Sequence, residues 1–201
     1  FKTPLTSIQV AIELLEEHGT DMPAEQRARL LQNISADTQR LKRLVDRLLE
    51  MARADVLDPA AGKTSLAPMI ETLRERYRDA GLNIWFSGDA NGAAKIVPEV
   101  LEMVLSNLLD NSRQNSADRV EITVEGNGDM IAVSVADNGQ GISSANAKKI
   151  FTPFFTTHRD EGGTGLGLGI VRSLLGAYGG EISLEPSSAG AVFRLTLPRA
   201  Q

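Results

Sequence analysis

Met130-Ile131-Ala132-Val133-Ser134-Val135-Ala136-Asp137-Asn138-Gly139-Gln140-Gly141 is the stretch on which the reading of this chain turns. The apolar run 131–135 reads as a strand, and an acidic, glycine-bearing turn follows it directly, at a strand end where ligands commonly bind. The glycines Gly139 and Gly141 permit backbone torsions and a closeness of approach that side chains forbid. By itself the segment reads equally well as an acidic surface turn, so its surroundings decide.

Outward from that strand, short β patterns alternate with helical ones. Strands are predicted at 83–87, near 94–97, and at 119–125, 130–136, 181–184 and 191–197. Helices are predicted at 67–79, 98–114 and 166–178. A mixed sheet with helices on one face is an α/β sandwich. The segment Asp58-Pro59-Ala60-Ala61-Gly62 is a plausible linker ahead of it.

Upstream the period changes to that of a helix. Leu5, Ile8, Ala11, Ile12 and Leu15 step by three and four until Gly19-Thr20-Asp21-Met22-Pro23 breaks the pattern. A second helix follows to residue 53, with Leu31, Ile34, Thr38, Leu41, Val45, Leu48 and Ala52 as a heptad-like seam that Leu30, Leu44 and Leu49 widen. Two antiparallel helices cannot hide stripes this broad against each other alone, which predicts pairing with a second copy into a four-helix bundle. The expected fold class is therefore α+β: a helical hairpin at residues 1–57 that forms a dimeric four-helix bundle, then an α/β sandwich at 58–201.

Composition narrows the function classes. The 201 residues are 42% hydrophobic and 23% charged, the proportions of a soluble globular chain rather than a disordered one. With 21 basic and 26 acidic residues the formal charge is −5, so nucleic acid is not an expected partner. There is no Cys, which excludes disulfides and thiolate chemistry and fits the cytoplasm; His18 and His158 are the two imidazoles. No uncharged apolar stretch suits a membrane span, so no membrane contact is expected within residues 1–201, and any anchor in the inner membrane is expected outside them.

Two further motifs carry chemistry. Asn107 and Asn111 stand four apart on the helix that holds Leu101, Val104, Leu105, Leu108 and Leu109, so both amides project from one face. An amide carbonyl is a hard oxygen ligand suited to Mg²⁺, although two amides capping neighbouring loops would read the same way. Gly162-Gly163-Thr164-Gly165-Leu166-Gly167-Leu168-Gly169 then runs into an apolar helix, and a glycine-rich helix entry offers free N–H groups and the positive dipole end to phosphate. The dinucleotide fingerprint fails, because the last glycine it needs falls on Leu168, Ile170 or Arg172 in the three registers. Gly62-Lys63-Thr64 mimics the end of a phosphate-binding P-loop, but the first glycine of that motif is replaced by Leu57.

Together and in this order these boxes resemble the GHKL ATP-binding superfamily, and within it the sensor histidine kinases of two-component systems. Residues 107–111 resemble the N box, Asp137–Gly141 the first glycine box, Phe151-Thr152-Pro153-Phe154-Phe155 the F box, Gly163–Gly169 the second glycine box, and Phe1-Lys2-Thr3-Pro4-Leu5-Thr6 the second half of the phosphoacceptor box. The resemblance implies an ATP/ADP site in which Asp137 accepts a hydrogen bond from the adenine amine. It implies that Asn111, with Asn107 beside it, ligates Mg²⁺ at the phosphates, and that Gly139, Gly141, Phe151, Gly163, Thr164, Gly165, Leu166, Gly167 and Leu168 complete the nucleotide site. Residues 143–163 would form a lid. The partners implied are a second copy through residues 1–57 and the receiver domain of a response regulator.

The phosphoacceptor His of such kinases would stand two places before Phe1, and neither His18 nor His158 matches its box. Gln114 and Asn115 stand where many members carry Lys and Tyr, and this pattern resembles the nitrogen-regulator-like subgroup. That subgroup often has Lys after the Thr pair; here Arg159 offers the positive charge. Thr3, one helical turn beyond the expected His, resembles the residue that positions water for receiver dephosphorylation. Two rival readings are a GHKL hydrolase, which would carry a Glu base where Asn107 stands, and a nucleotide-binding scaffold that docks a receiver domain without phosphoryl transfer.

Overall fold

The computed structural model describes residues 2–54, 62–157 and 163–200. Side chains of Lys2, Thr3 and Asn127, and most of those between 40 and 54, lie outside that description. Outside it therefore fall residues 58–61 of the expected 58–62 linker, Gly162, His158, Arg159, and the side chains of Thr3 and of the seam residues Leu44, Leu48, Leu49 and Ala52.

Helices α1 (Lys2–His18) and α2 (Ala24–Ala54) form the predicted hairpin. Then come β1 (Thr64–Ser65), α3 (Leu66–Arg78), β2 (Asn83–Gly88), β3 (Ala93–Ala94), α4 (Pro98–Gln114), β4 (Arg119–Asn127), β5 (Met130–Asp137), α5 (Ser144–Ala147), α6 (Gly167–Ala177), β6 (Glu181–Glu185) and β7 (Val192–Pro198). Five strands make one sheet in the order β2-β4-β5-β7-β6. Strand β2 runs parallel to β4, and every other neighbour pair is antiparallel.

The core lies between this sheet and α3, α4 and α6. On α4, Val100, Leu101, Val104, Leu105, Leu108 and Leu109 are buried, the helical period that the sequence shows. From the strands the alternate residues Val120, Ile122 and Val124, then Ile131, Val133 and Val135, then Phe193, Leu195 and Leu197 meet them. Helix α4 starts with Pro98 in its first turn, where a missing N–H costs nothing.

The hairpin is different. Ala11 is buried between its helices, yet Leu5, Val10, Ile12, Leu14, Leu31 and Val45 stay exposed, with Leu31 at 54% and Ile12 at 41%. A single hairpin leaves that apolar stripe in water.

Three elements differ from the sequence expectation. The strand expected near 94–97 is the two-residue β3, which pairs with a strand the sequence did not mark, β1. Residues 95–97 instead turn toward α4: Lys95 N donates to the Pro198 carbonyl, and Val97 stands at the N-cap position, its carbonyl accepting Leu101 N. One turn of helix, α5, also stands in the segment read as lid.

Helix α3 is clamped to α4 by Tyr77, whose hydroxyl donates to Asp110 Oδ1 at 3.0 Å and lies 3.3 Å from the Ser106 carbonyl oxygen. Burial, with the Asp110 carboxylate beside it, pushes the Tyr77 hydroxyl up to about 12 from 10.0. The folded state thus holds this proton more tightly than the unfolded chain, so the contribution is complete below about pH 10 and is lost as pH rises through about 12. We expect Tyr77→Phe to lose about 1–2 kcal/mol at neutral pH, and denaturant unfolding to show its deficit shrinking across that alkaline window. A deficit independent of pH would contradict the clamp.

Candidate functional site

Asp137 closes β5, and its carboxylate gathers the local structure. Oδ1 accepts Gly139 N at 2.9 Å and Ala191 N at 3.0 Å, while Oδ2 accepts Ser112 Oγ at 2.9 Å. Its own N–H donates to the Ala191 carbonyl at 2.9 Å. A carboxylate drawn from water needs donors of this kind.

The rest of the acidic turn is pinned as firmly. Asn138 Oδ1 accepts the N–H groups of Asp118 and Arg119, its Nδ2 donates to Asp118 Oδ1 at 2.7 Å, and Gln140 N donates to the Asn115 carbonyl. Gly141 has φ +73°, and a Cβ there would lie 2.8 Å from the Gly190 carbonyl oxygen. Gly190 has φ +65°, and a Cβ there would stand 1.7 Å from the Asp137 carbonyl oxygen. Only glycine fits either position.

Beside Asp137 a cavity of about 590 Å³ opens. Its apolar wall includes Ile142, Ile150, Leu168 and Phe193; toward α6 it is lined by Gly163, Thr164, Gly165 and Gly167; at the end of α4 it meets Asn111, Gln114 and the C-cap residue Asn115. A flat apolar group suits the first wall, and a helix entry suits an anion. Asn111 Nδ2 is buried without a hydrogen-bond partner, an orphan amide on the cavity wall that a ligand would satisfy. Among the described residues no three of His, Cys, Asp or Glu gather into a metal cage. An ion held by one amide oxygen together with phosphates, the habit of Mg²⁺, fits this donor set.

Of the residues the sequence singled out, the cavity brings together Asn111, Asp137, Gly141, Gly163, Thr164, Gly165, Gly167 and Leu168. Asn107, Gly139, Phe151 and Leu166 are not on its wall. Asn107 is 6% exposed and its Nδ2 donates to the Met103 carbonyl at 2.9 Å, one turn back along α4. Gly139 serves from behind, through its N–H to Asp137. Phe151 packs against the core beneath Arg172 of α6, whose guanidinium lies 5.9 Å from the ring centre. Arg159 lies outside the described residues, as does the side chain of Thr3.

Sequence reasoning missed Ser112, Ile142, Gly190, Ala191 and Phe193, and reached Asn146 and Ile150 only as part of the 143–163 lid. A lone glycine at 190, between a polar turn and a strand, was a readable signal for a close backbone approach. Ser112 gave none, because its contact with Asp137 spans 25 residues of chain.

An α/β sandwich with an acidic acceptor at the strand end, an apolar slot and a glycine-rich helix entry defines a nucleotide-binding domain. The chain belongs to the family described as histidine kinase-, DNA gyrase B-, and HSP90-like ATPases, which residues 96–201 match, and residues 1–56 match the His Kinase A (phospho-acceptor) domain, which places it in the histidine-kinase branch. The matched domain is an ATP-binding one.

The chain is 30% identical over 209 residues to the alginate biosynthesis sensor protein KinB of Pseudomonas aeruginosa, covering 98% of this chain and 35% of that protein. It thus spans about a third of that relative's length. The solved catalytic domain of the histidine kinase ThkA is 29% identical, with a TM-score of 0.60 over 68% of this chain and 94% of that one. ThkA in complex with the response regulator protein TrrA superposes with a TM-score of 0.72 at 24% identity, over 99% of this chain and 58% of that one.

The glycine pair generates a test that needs no ligand. Gly190→Ala should cost at least about 1–2 kcal/mol from the left-handed backbone alone, with the clash against Asp137 added. Denaturant titration measures it, and wild-type stability would show that Gly190 is not held in this conformation.

Proposed function

We propose that this chain is the catalytic core of a two-component sensor histidine kinase. Residues 58–201 would bind Mg·ATP, and residues 1–57 would form the dimeric hairpin that presents the phosphoacceptor His. The observation that carries the reading is the cavity between the Asp137 acceptor and the α6 entry, on a chain that matches both domains of such kinases in order.

In this reading Asp137 Oδ2 takes the adenine amine, and Ile142, Ile150, Leu168 and Phe193 cover the ring. The glycine-rich segment at 163–167 receives the phosphates. Asn111 would hold Mg²⁺, which supplies charge neutralisation at the phosphates and orients them. Asn107 supports the α4 wall from behind rather than touching the ion. The chain's own groups thereby fix the γ-phosphoryl group for attack by an imidazole nitrogen: an N–P bond forms, the bond from phosphorus to the β,γ-bridging oxygen breaks, and ADP leaves. The phosphoryl group then passes to an Asp of a response-regulator receiver domain; ThkA itself has been solved in complex with a response regulator protein, TrrA. Thr3 would serve the reverse, phosphatase direction, and Arg159 would add positive charge over the phosphates.

A hydrolase of the same family needs a carboxylate base where this chain has Asn107, a buried amide whose nitrogen is already engaged. The imported imidazole is therefore the nucleophile we assign. Among the described residues no helix is long and apolar enough to cross a membrane. We place residues 1–201 in the cytoplasm.

Incubation with labelled ATP tests the reaction. A chain extended upstream of Phe1 by helix ending in His-Glu should acquire acid-labile, alkali-stable label, and the chain as it stands should acquire none. Such label on the unextended chain would make His18 or His158 the acceptor; none on the extended chain, with ATP binding measured, would promote the scaffold reading.

The exposed stripe tests the dimer. Ile12→Asp with Leu31→Asp should turn a dimer into a folded monomer in sedimentation, because both side chains are exposed within one chain and need a second copy for burial. A monomeric wild type at micromolar concentration would overturn it.

A further inference from the structure

Among the described residues, one side chain donates to the Asp137 carboxylate, and it comes from another element. Ser112 on α4 is 2% exposed, and its Oγ lies 2.9 Å from Asp137 Oδ2 and 3.1 Å from the Leu108 carbonyl oxygen. Resting on the reading that Asp137 takes the adenine amine, we propose that Ser112 is a positioning residue for base selection: its hydroxyl holds the carboxylate so that a single acceptor position on Oδ2 is left for the 6-amino group.

A carboxylate offers about four lone-pair positions, two on each oxygen. Gly139 N and Ala191 N take both on Oδ1, and Ser112 takes one on Oδ2. One remains, on a residue that lines the cavity. The hydroxyl has one proton and two acceptors within reach. The carboxylate is both the nearer and the charged one, so it wins over the local bond back to Leu108 that a serine in a helix otherwise makes.

Position on α4 adds a second consequence. Ser112 is covalently next to Asn111, the orphan amide at the other part of the cavity wall. One helix therefore sets the base acceptor and the phosphate-side amide relative to each other. Without the hydroxyl, Oδ2 has two open positions, and water competes with the base for them.

The test compares ADP with the diphosphate of purine riboside, which has hydrogen in place of the 6-amino group. Both are titrated calorimetrically into the 201-residue chain as wild type, Ser112→Ala, Ser112→Cys and Asp137→Asn, with thermal melting to show that each is folded. Cysteine keeps the shape of serine and replaces its hydroxyl with a weak donor. We expect both Ser112 variants to bind ADP about tenfold more weakly, the loss of one hydrogen bond to a charged group, while the analogue changes by less than about twofold. Loss of affinity for both nucleotides alike, or for neither, overturns the role of Ser112 and leaves base recognition standing if Asp137→Asn abolishes the preference for ADP. A wild-type preference in Asp137→Asn removes the base-recognition reading itself, and the Ser112 proposal with it.

Discussion

A carboxylate at the end of a half-buried strand has to be met by donors, and that requirement at Asp137 orders the α/β half of this chain. The donors arrive from three directions: the loop just beyond it, the turn that leads into β7, and α4 behind the sheet. Each brings a condition. The loop must double back, the turn must pass so close to Asp137 that Gly190 has no room for a side chain, and α4 must place a hydroxyl where a core residue would otherwise sit. The strand order β4-β5-β7 and the apolar seating of α4 meet all three at once.

Helix α4 then does two jobs that its pattern separates cleanly. Its apolar stripe, Val100 through Leu109, fixes it on the sheet, and its last turns carry polar groups to the ligand side. Because Asn111 and Ser112 are neighbours on a helix held by a packed core, the groups at the base and phosphate ends of the cavity cannot drift apart. Tyr77 adds a tie from α3 to Asp110 in the same turn of helix. The hairpin follows a different logic, since its exposed Leu5, Ile12 and Leu31 call for burial that the single chain does not supply.

Much of this was legible in the sequence because it is local. The strand ending in Asp137, the helix with Asn107 and Asn111, and the glycine run into α6 each declare themselves within a dozen residues through period and spacing. What was hidden is what depends on tertiary contact. The spacing of Asn107 and Asn111 put both amides on one face, yet the structure seats Asn107 against Met103 and leaves the cavity to Asn111. Phe151, counted by resemblance among the nucleotide-site residues, packs against the core under Arg172. The two-residue strands β1 and β3 are too short to show a period, and Ser112 has no local signature at all. Gly190 was readable in principle, since an isolated glycine at the foot of a strand marks a place where backbones meet.

The central claim is that Asp137 holds the base while α6's glycine-rich entry and Asn111 hold the phosphates. A crystal structure of this chain grown with Mg·ADP tests it most directly. The account predicts the adenine 6-amino nitrogen within hydrogen-bonding distance of Asp137 Oδ2, with the diphosphate against residues 163–167 and beside Asn111. An adenine seated away from Asp137, or phosphates directed away from α6, would contradict it.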